Sequence, residues 1–278
     1  MKQSSTNKKA IRAHFQPVKK ISVKDISQMF EVFERYYDGA DLQTFIKDLS
    51  EKTGAIMMRR RSDDKIVGFS TVKTCQIDDN GRNAIGIFSG DTVLEKEYWG
   101  STALQVHFFI YVIKQRLANP LTPLFWLLIS KGYKTYLLMA NNFPEGAYYP
   151  ARSLSEKQEK RYCNVAASYS EQLFPGCYNS ETQLLDFGSD YQNVKSGVAD
   201  ITQELRAKQP KIDFFETVNP TWRRGTELPC VGDIGYMSVI KYVGVLFRKL
   251  IGLKPRAVVA RDQNRASAPD TEVSQQVS

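Results

Sequence analysis

Two histidines and four cysteines are all that 278 residues offer of the side chains that most often hold transition metals or form disulfides. Cys75, Cys163, Cys177 and Cys230 are widely spaced, with no Cys-x-x-Cys and no paired histidine beside them. That pattern argues against a metal site and against a disulfide framework, and for thiols in a reducing compartment. No uncharged apolar run reaches the ~18 residues that a membrane-spanning helix needs. The opening MKQSSTNKKAIRAHF has no apolar stretch behind its charges, so a secretory signal is not expected. The expectation is a cytoplasmic protein, dissolved or attached peripherally to a membrane. No P-loop, dinucleotide fingerprint or nucleophilic-triad order occurs either. His107 sits in an apolar helical stretch and is expected to be a locally bonded imidazole rather than a base.

What is present is ordinary for a globular chain, with 42% apolar and 24% charged residues. The net charge of +8 is concentrated at the ends. Residues 1–20 carry six Lys/Arg and no acid, and residues 241–278 carry seven against three. Basic ends suit an acidic partner surface such as lipid headgroups or an acidic carrier protein; nucleic acid is not expected as the partner.

The stretch AIGIFSGDTVLEKEYWGSTALQVHFFIYVIKQRL (84–117) organises the rest. It reads as a strand to Leu94, a turn through Glu97–Thr102, and an apolar helix from about Thr102. A helix start behind such a turn aims free N–H groups outward and is a natural seat for an anion, here a cofactor phosphate. Upstream, Ser22-Val23-Lys24-Asp25 has capping-box form and opens a helix, and a second helix places Leu42, Phe45, Ile46 and Leu49 on one face. Strands are expected over Ala55–Arg60 and Ile66–Thr74, joined by the polar turn 62–65. Downstream, LFWLLI (124–129) reads as a buried strand and Tyr133–Asn141 as a helix, so that the 84–94 and 124–129 strands form a parallel pair. From Phe143 to about Gly225 the pattern blurs. A helix over about Gln192–Lys208 and a strand over Asp213–Glu216 are the readings there. SVIKYVGVLFRKLIGL (238–253) is a basic amphipathic helix, suited to a domain surface or a membrane interface.

The order helix, helix, three strands, helix, strand, helix resembles the GNAT acyltransferase fold. IVGFSTV is similar to that family's third strand, SGDTVLEKEYWGSTAL to its fourth strand and cofactor loop, and LFWLLISKGYKTYLLMANN to its fifth strand, fourth helix and following Asn. The resemblance implies an α/β fold with a mixed, mostly antiparallel sheet flanked by helices. The implied organisation is a disordered basic arm (1–20), a GNAT-like core (21–142), a substrate-covering extension (143–237), the basic amphipathic helix (238–256) and a disordered tail (257–278).

It also implies N-acyl transfer from a thioester to a small-molecule amine by direct attack. In that family the fourth strand splays from the fifth, and the pantetheine arm of acyl-CoA pairs with its exposed backbone. Carried over by position, the arm runs along Thr92, Val93 and Leu94, and the phosphate loop is Tyr98–Ala103, with Trp99, Gly100, Ser101 and Thr102 as its contacts and Asn141 beyond. The loop departs from the family pattern, since Glu97 or Trp99 stands where Arg or Gln is usual and only Gly100 remains of the glycines. Related acyl-homoserine-lactone and N-acyl amino acid synthases include enzymes that draw on acyl carrier protein, so the donor is acyl-CoA or a carrier's phosphopantetheine. Candidate bases are Asp91, Glu95 and Glu97; candidate acids are Tyr133 and Tyr136, and Ser130 could orient a water or substrate. The rival readings are a non-catalytic binding protein of this fold and a membrane-surface enzyme acting on lipid-like substrates.

Overall fold

A computed structural model describes residues 11–37, 39–142, 148–149, 154–188 and 201–250. Among them a seven-stranded sheet has the order β1-β2-β3-β4-β5-β9-β6. Its strands are β1 (Ile11–Pro17), β2 (Gly54–Arg60), β3 (Ile66–Asp78), β4 (Asn83–Leu94), β5 (Leu124–Ser130), β6 (Tyr148–Tyr149) and β9 (Leu228–Asp233). A separate two-stranded ribbon joins β7 (Tyr178–Asn179) to β8 (Leu184–Leu185). Only β4 and β5 run parallel, as a strand–helix–strand crossover requires; every other pair is antiparallel. The helices are α1 (Val23–Phe33), α2 (Leu42–Ser50), α3 (Ala103–Ala118), α4 (Tyr133–Asn142), α5 (Glu156–Leu173), α6 (Gln203–Lys208), α7 (Pro210–Val218) and α8 (Tyr236–Leu250). This is the expected mixed, mostly antiparallel sheet with flanking helices.

Alternation along the strands sends their side chains to two cores. One face carries Ile56, Met58, Ile87, Trp126 and Leu128 and is covered by α3, α4 and α7. The other is covered in two parts. Met57, Phe69 and Val93 lie under α1 and α2, while Phe88, Phe125 and Leu127 lie under α5. Local signals fix the helix starts. Ser22 Oγ accepts the Asp25 N–H, Asp41 accepts the Thr44 N–H, and Ser155 forms a capping box with Gln158.

Four expectations need correction. The basic arm over 1–20 is not an arm from Ile11 onward: residues 11–17 are an edge strand on β2, with the Phe15 ring tilted against Tyr111 at 4.5 Å. Its alternation of Ile11, Ala13 and Phe15 with Arg12, His14 and Gln16 is the strand period, and charge disguised it. Asp213–Glu216 is helical, within α7, because Ile212 and Phe215 bury one helical face. The extension over 143–237 is not merely a cover, since it supplies β9 as a central strand and α5 as a layer. The helix expected over about Gln192–Lys208 begins, among the described residues, only at Gln203, after non-helical Ile201 and the cap Thr202; residues 192–200 lie outside the described residues, as do the tail 257–278 and residues 1–10.

The extension is bolted on by charge. Asp79, fully buried in the β3–β4 turn, takes two hydrogen bonds from Arg161 of α5 at 2.6 and 2.9 Å. The guanidinium holds the Asp79 carboxyl below the usual carboxylate range.

Candidate active site

β4 and β5 pair over four positions only, from Ile85 opposite Leu124 to Phe88 opposite Leu127. Beyond them each strand continues without the other, β4 to Leu94 and β5 to Ser130. The parting coincides with a β-bulge: Val72 faces Ser89 while Ser70 faces Thr92, so β4 holds one residue more than β3 at Gly90-Asp91. A Cβ on Gly90 would come within 2.4 Å of Thr71 Oγ1, so the bulge needs glycine there. The extra residue also resets the alternation. Phe88 and Val93 reach the same face although five positions apart, and Asp91 shares that face with Val93.

The gap opens into a cavity of about 840 Å³ that passes through the sheet. From the α3 side it is lined by Leu104, Phe108, Trp126 and Leu128. From the opposite side it is lined by Phe33, Tyr37, Phe45, Phe88 and Phe174. Charged groups cluster on that second side, namely Asp41 and Asp48, Lys52, Asp91 and Glu227; Lys131 and Lys134 line the β5–α4 end. Lys52 is committed to Asp48 at 2.8 Å. Burial pushes the Asp91 carboxyl up to about 6, with Lys52 opposing and Asp48 adding to the rise. Burial pushes Glu227 up to about 7, opposed by Lys131 and reinforced by the charge of Asp91. The Tyr37 hydroxyl is raised by burial and then by both carboxylates. Two carboxyls that titrate near neutrality, in a cleft, are what proton-transfer chemistry requires.

The other expected site residues divide. Thr92, Leu94 and Ser101 line the cavity with Asp91, and Thr92 Oγ1 lies 2.7 Å from Ser70 Oγ. Val93 turns its side chain into the α1–α2 core, which leaves its backbone for the splayed edge. The Leu94 carbonyl accepts the Trp99 indole N–H at 2.8 Å, so that edge is closed at its last residue. Gly100 adopts φ +82°, the left-handed turn that favours glycine. Part of the loop is already committed within the turn, however. The amides of Tyr98, Trp99 and Ser101 donate to Glu95, Lys96 and Tyr98 carbonyls, and Ser101 Oγ accepts from Ala103 N–H. Thr102 precedes α3 without a side-chain cap bond.

Glu95 is in an ion pair with Arg35 at 2.6 Å outside the cavity. Tyr136 is buried against Phe214 and Phe215, and Tyr133 packs on the same core. The α4 stripe that faces the cavity is Lys134, Thr135 and Leu138 instead, with Lys131 in the turn before it, a helical spacing that excludes both tyrosines. Asn141 Oδ1 accepts from Lys211 of α7 at 3.0 Å. Ser130 is fully buried with its Oγ 3.7 Å from Cys230 Sγ. His107 Nδ1 is bonded to the Ala103 carbonyl at 2.9 Å, as its setting implied. Glu227, Asp48, Lys52, Lys131 and Tyr37 were absent from the sequence-based set.

No protein-family model and no curated protein sequence matches the chain. Solved structures similar in part include a probable N-acyltransferase from Enterococcus faecalis V583, at 14% identity and TM-score 0.37 over 50% of this chain and 32% of that one. Saccharomyces cerevisiae N-myristoyltransferase with bound myristoyl-CoA overlaps at 11% identity and TM-score 0.33, over 44% and 29%. An Escherichia coli GNAT family N-acetyltransferase in complex with CoA overlaps at 12% identity and TM-score 0.32, over 44% and 64%. In each case this chain spans less than two thirds of the other's length.

Proposed function

We propose that the chain is an N-acyltransferase that moves an acyl group from a thioester to an amine by direct attack. The observation that carries this reading is the parting of β4 from β5 after Phe88–Leu127, with a cavity through the sheet at that point. Backbone groups left unpaired along a splayed edge can grip a donor's amide-rich arm, and Thr92 and Val93 are the residues positioned for it. Asp91 takes a proton from the attacking nitrogen. Its raised pKa makes it a stronger base than an exposed carboxylate while leaving it ionised at neutral pH. Lys131 and Lys134, which line the cavity, rather than Tyr133 and Tyr136, are placed to meet the departing thiolate.

The donor is acyl-CoA or the phosphopantetheine of acyl carrier protein. The Tyr98, Trp99 and Ser101 amides, already bonded within the turn, leave fewer donors for a pyrophosphate, and this favours the carrier, whose acidity the basic residues at both ends of the chain complement. The apolar wall of Leu104, Phe108, Trp126 and Leu128 suits an acyl chain longer than acetyl. Titration calorimetry with acetyl-CoA, a long-chain acyl-CoA and an acylated carrier protein tests the reading. Binding and amine-dependent thioester loss with any one supports it; silence with all three overturns it.

A further feature favours work at a membrane surface. No helix among the described residues is long and apolar enough to cross a membrane. Yet α8 exposes Tyr236, Met237, Ile240 and Val243. Residues 236–256 hold five Lys/Arg and no acid, the composition of a helix that lies in an anionic interface.

A further inference from the structure

Glu227 is 5% exposed, yet its carboxyl has no hydrogen-bond or ion-pair partner among the described residues. Only its backbone is tied, by reciprocal bonds of 2.9 Å with Leu185. That fixes it where the extension meets the cavity, and its carboxyl forms part of the cavity wall. A buried carboxyl with nothing to bond is costly, and folds keep such groups where a ligand completes them.

The groups facing it restrict the ligand. Asp91 comes from β4, Asp48 and Lys52 from α2, Asp41 and Tyr37 from the α1–α2 connection, and Lys131 and Lys134 from the β5–α4 end. Lys52 is spent on Asp48, and Lys131 draws on Glu227 only through space. The same cavity is lined by the rings of Phe33, Phe45, Phe88 and Phe174. Two acceptors in a cavity that also carries aromatic walls call for a compact cation with several donors, and an ammonium has three. The described residues contain no group of His, Cys, Asp or Glu suited to a metal ion.

We propose that Asp91 and Glu227 together seat a primary ammonium carried on an apolar alkyl or aryl body, and that this is the acceptor of the acyl group. The assignment as acceptor rests on the acyl-transfer reading; the seat itself is measurable without any donor. At pH 6, below its raised pKa of about 7, Glu227 carries a proton before the ligand arrives. The arriving ammonium replaces that proton as the carboxyl's partner, and the proton leaves to solvent. The bound ammonium then lies within reach of Asp91.

The test is calorimetry on the full chain at pH 6, with butylammonium, hexylammonium and phenethylammonium, each against the alcohol of the same shape. Repeating it in two buffers of different ionisation enthalpy counts the protons released. The expected result is binding of at least one ammonium, its alcohol at least tenfold weaker, and roughly one proton released. Glu227→Gln should weaken the ammonium at least tenfold and cut the proton release to the smaller share that comes from Asp91; Asp91→Asn should weaken it as much. Melting curves of both variants establish that they fold. Equal binding of alcohol and ammonium, unchanged binding by folded Glu227→Gln, or no binding by any of the three overturns the proposal. Ammonium binding without thioester loss from any donor would instead overturn acyl transfer and leave the seat standing.

Discussion

The indole N–H of Trp126, a residue still within the β4–β5 ladder, donates at 2.9 Å to the hydroxyl of Ser89, the first β4 residue past the last backbone rung. A side-chain bond thus takes over where main-chain pairing stops, and it pins the apex of the gap. Replacing Ser89 by Ala leaves a buried donor without its acceptor. It should cost about 1–3 kcal/mol in a denaturant titration and lower donor affinity, with less effect on ammonium binding. Equal losses of both would mean that the whole cavity had collapsed.

Gly90→Val should do more. Its side chain would collide with Thr71 and oppose the bulge that turns Asp91 towards α2. A stability loss of about 1–3 kcal/mol is expected, together with loss of acyl transfer. The catalytic loss should exceed that of Ser89→Ala, because the base is displaced as well as the gap. A Gly90→Val protein with full turnover would show that the bulge is incidental.

The two raised carboxyls give stability a direction with pH. Each binds its proton more tightly in the folded protein than in the unfolded chain. Their contribution is therefore complete below about pH 4, the usual carboxylate range. It is lost as pH rises through about 6 for Asp91 and about 7 for Glu227. Glu227→Gln should accordingly gain melting temperature relative to the unsubstituted protein at pH 8 and show little such gain at pH 4.5. Turnover runs the opposite way: kcat/KM should rise with pH as Asp91 ionises, and Asp91→Asn should abolish activity at every pH. A melting difference that is the same at both pH values would refute the assignment of Glu227.

Arg161→Met strands Asp79. Fully buried in the β3–β4 turn, the carboxylate would keep only the Asn80 amide at 3.2 Å and Arg82, at 3.5 Å and largely exposed. Breaking a buried pair from one side costs about 3–5 kcal/mol, and urea unfolding would read it. The double change with Asp79→Asn should recover part of that loss.

For α8 the measurement is co-sedimentation with vesicles of phosphatidylglycerol and phosphatidylcholine. The full chain should pellet with anionic vesicles and less so at high salt, while a variant with Met237→Asp and Ile240→Asp should stay in the supernatant. Equal pelleting of the two proteins would remove the membrane from consideration.

The core was readable because periods and punctuation agreed there. Ser22 and Asp41 cap α1 and α2, and Leu124–Ile129 is an apolar run of strand length. The extension was harder for physical reasons. Pro229 and Gly232 both argue against a central strand, yet β9 tolerates Pro229 because β6 pairs with it only at Val231 and Gly232. α5 is polar on average, and its buried stripe of Tyr162, Val165, Ala166 and Tyr169 is built from small and hydroxyl-bearing residues that carry little hydrophobic contrast. In the site, Asp91 stood out beside a Gly on a strand destined to splay. Glu227 carried no local mark, since only the pairing of β9 with β5 brings it to the cavity. Tyr133 and Tyr136 misled because a helix offers several faces, and the stripe through Lys134 and Leu138 is the one that meets the cavity.

Strand β1 sets a limit on how far the chain can be shortened. Cut away, it would bare the whole flank of β2 from Gly54 to Arg60, a row of hungry amides and carbonyls ready to accept a strand from another copy. Arg12 and His14, with Pro17 lacking an N–H, make β1 itself a far less inviting rim. Versions begun at Ser22 should therefore clump, whereas those keeping Ile11 should stay dispersed.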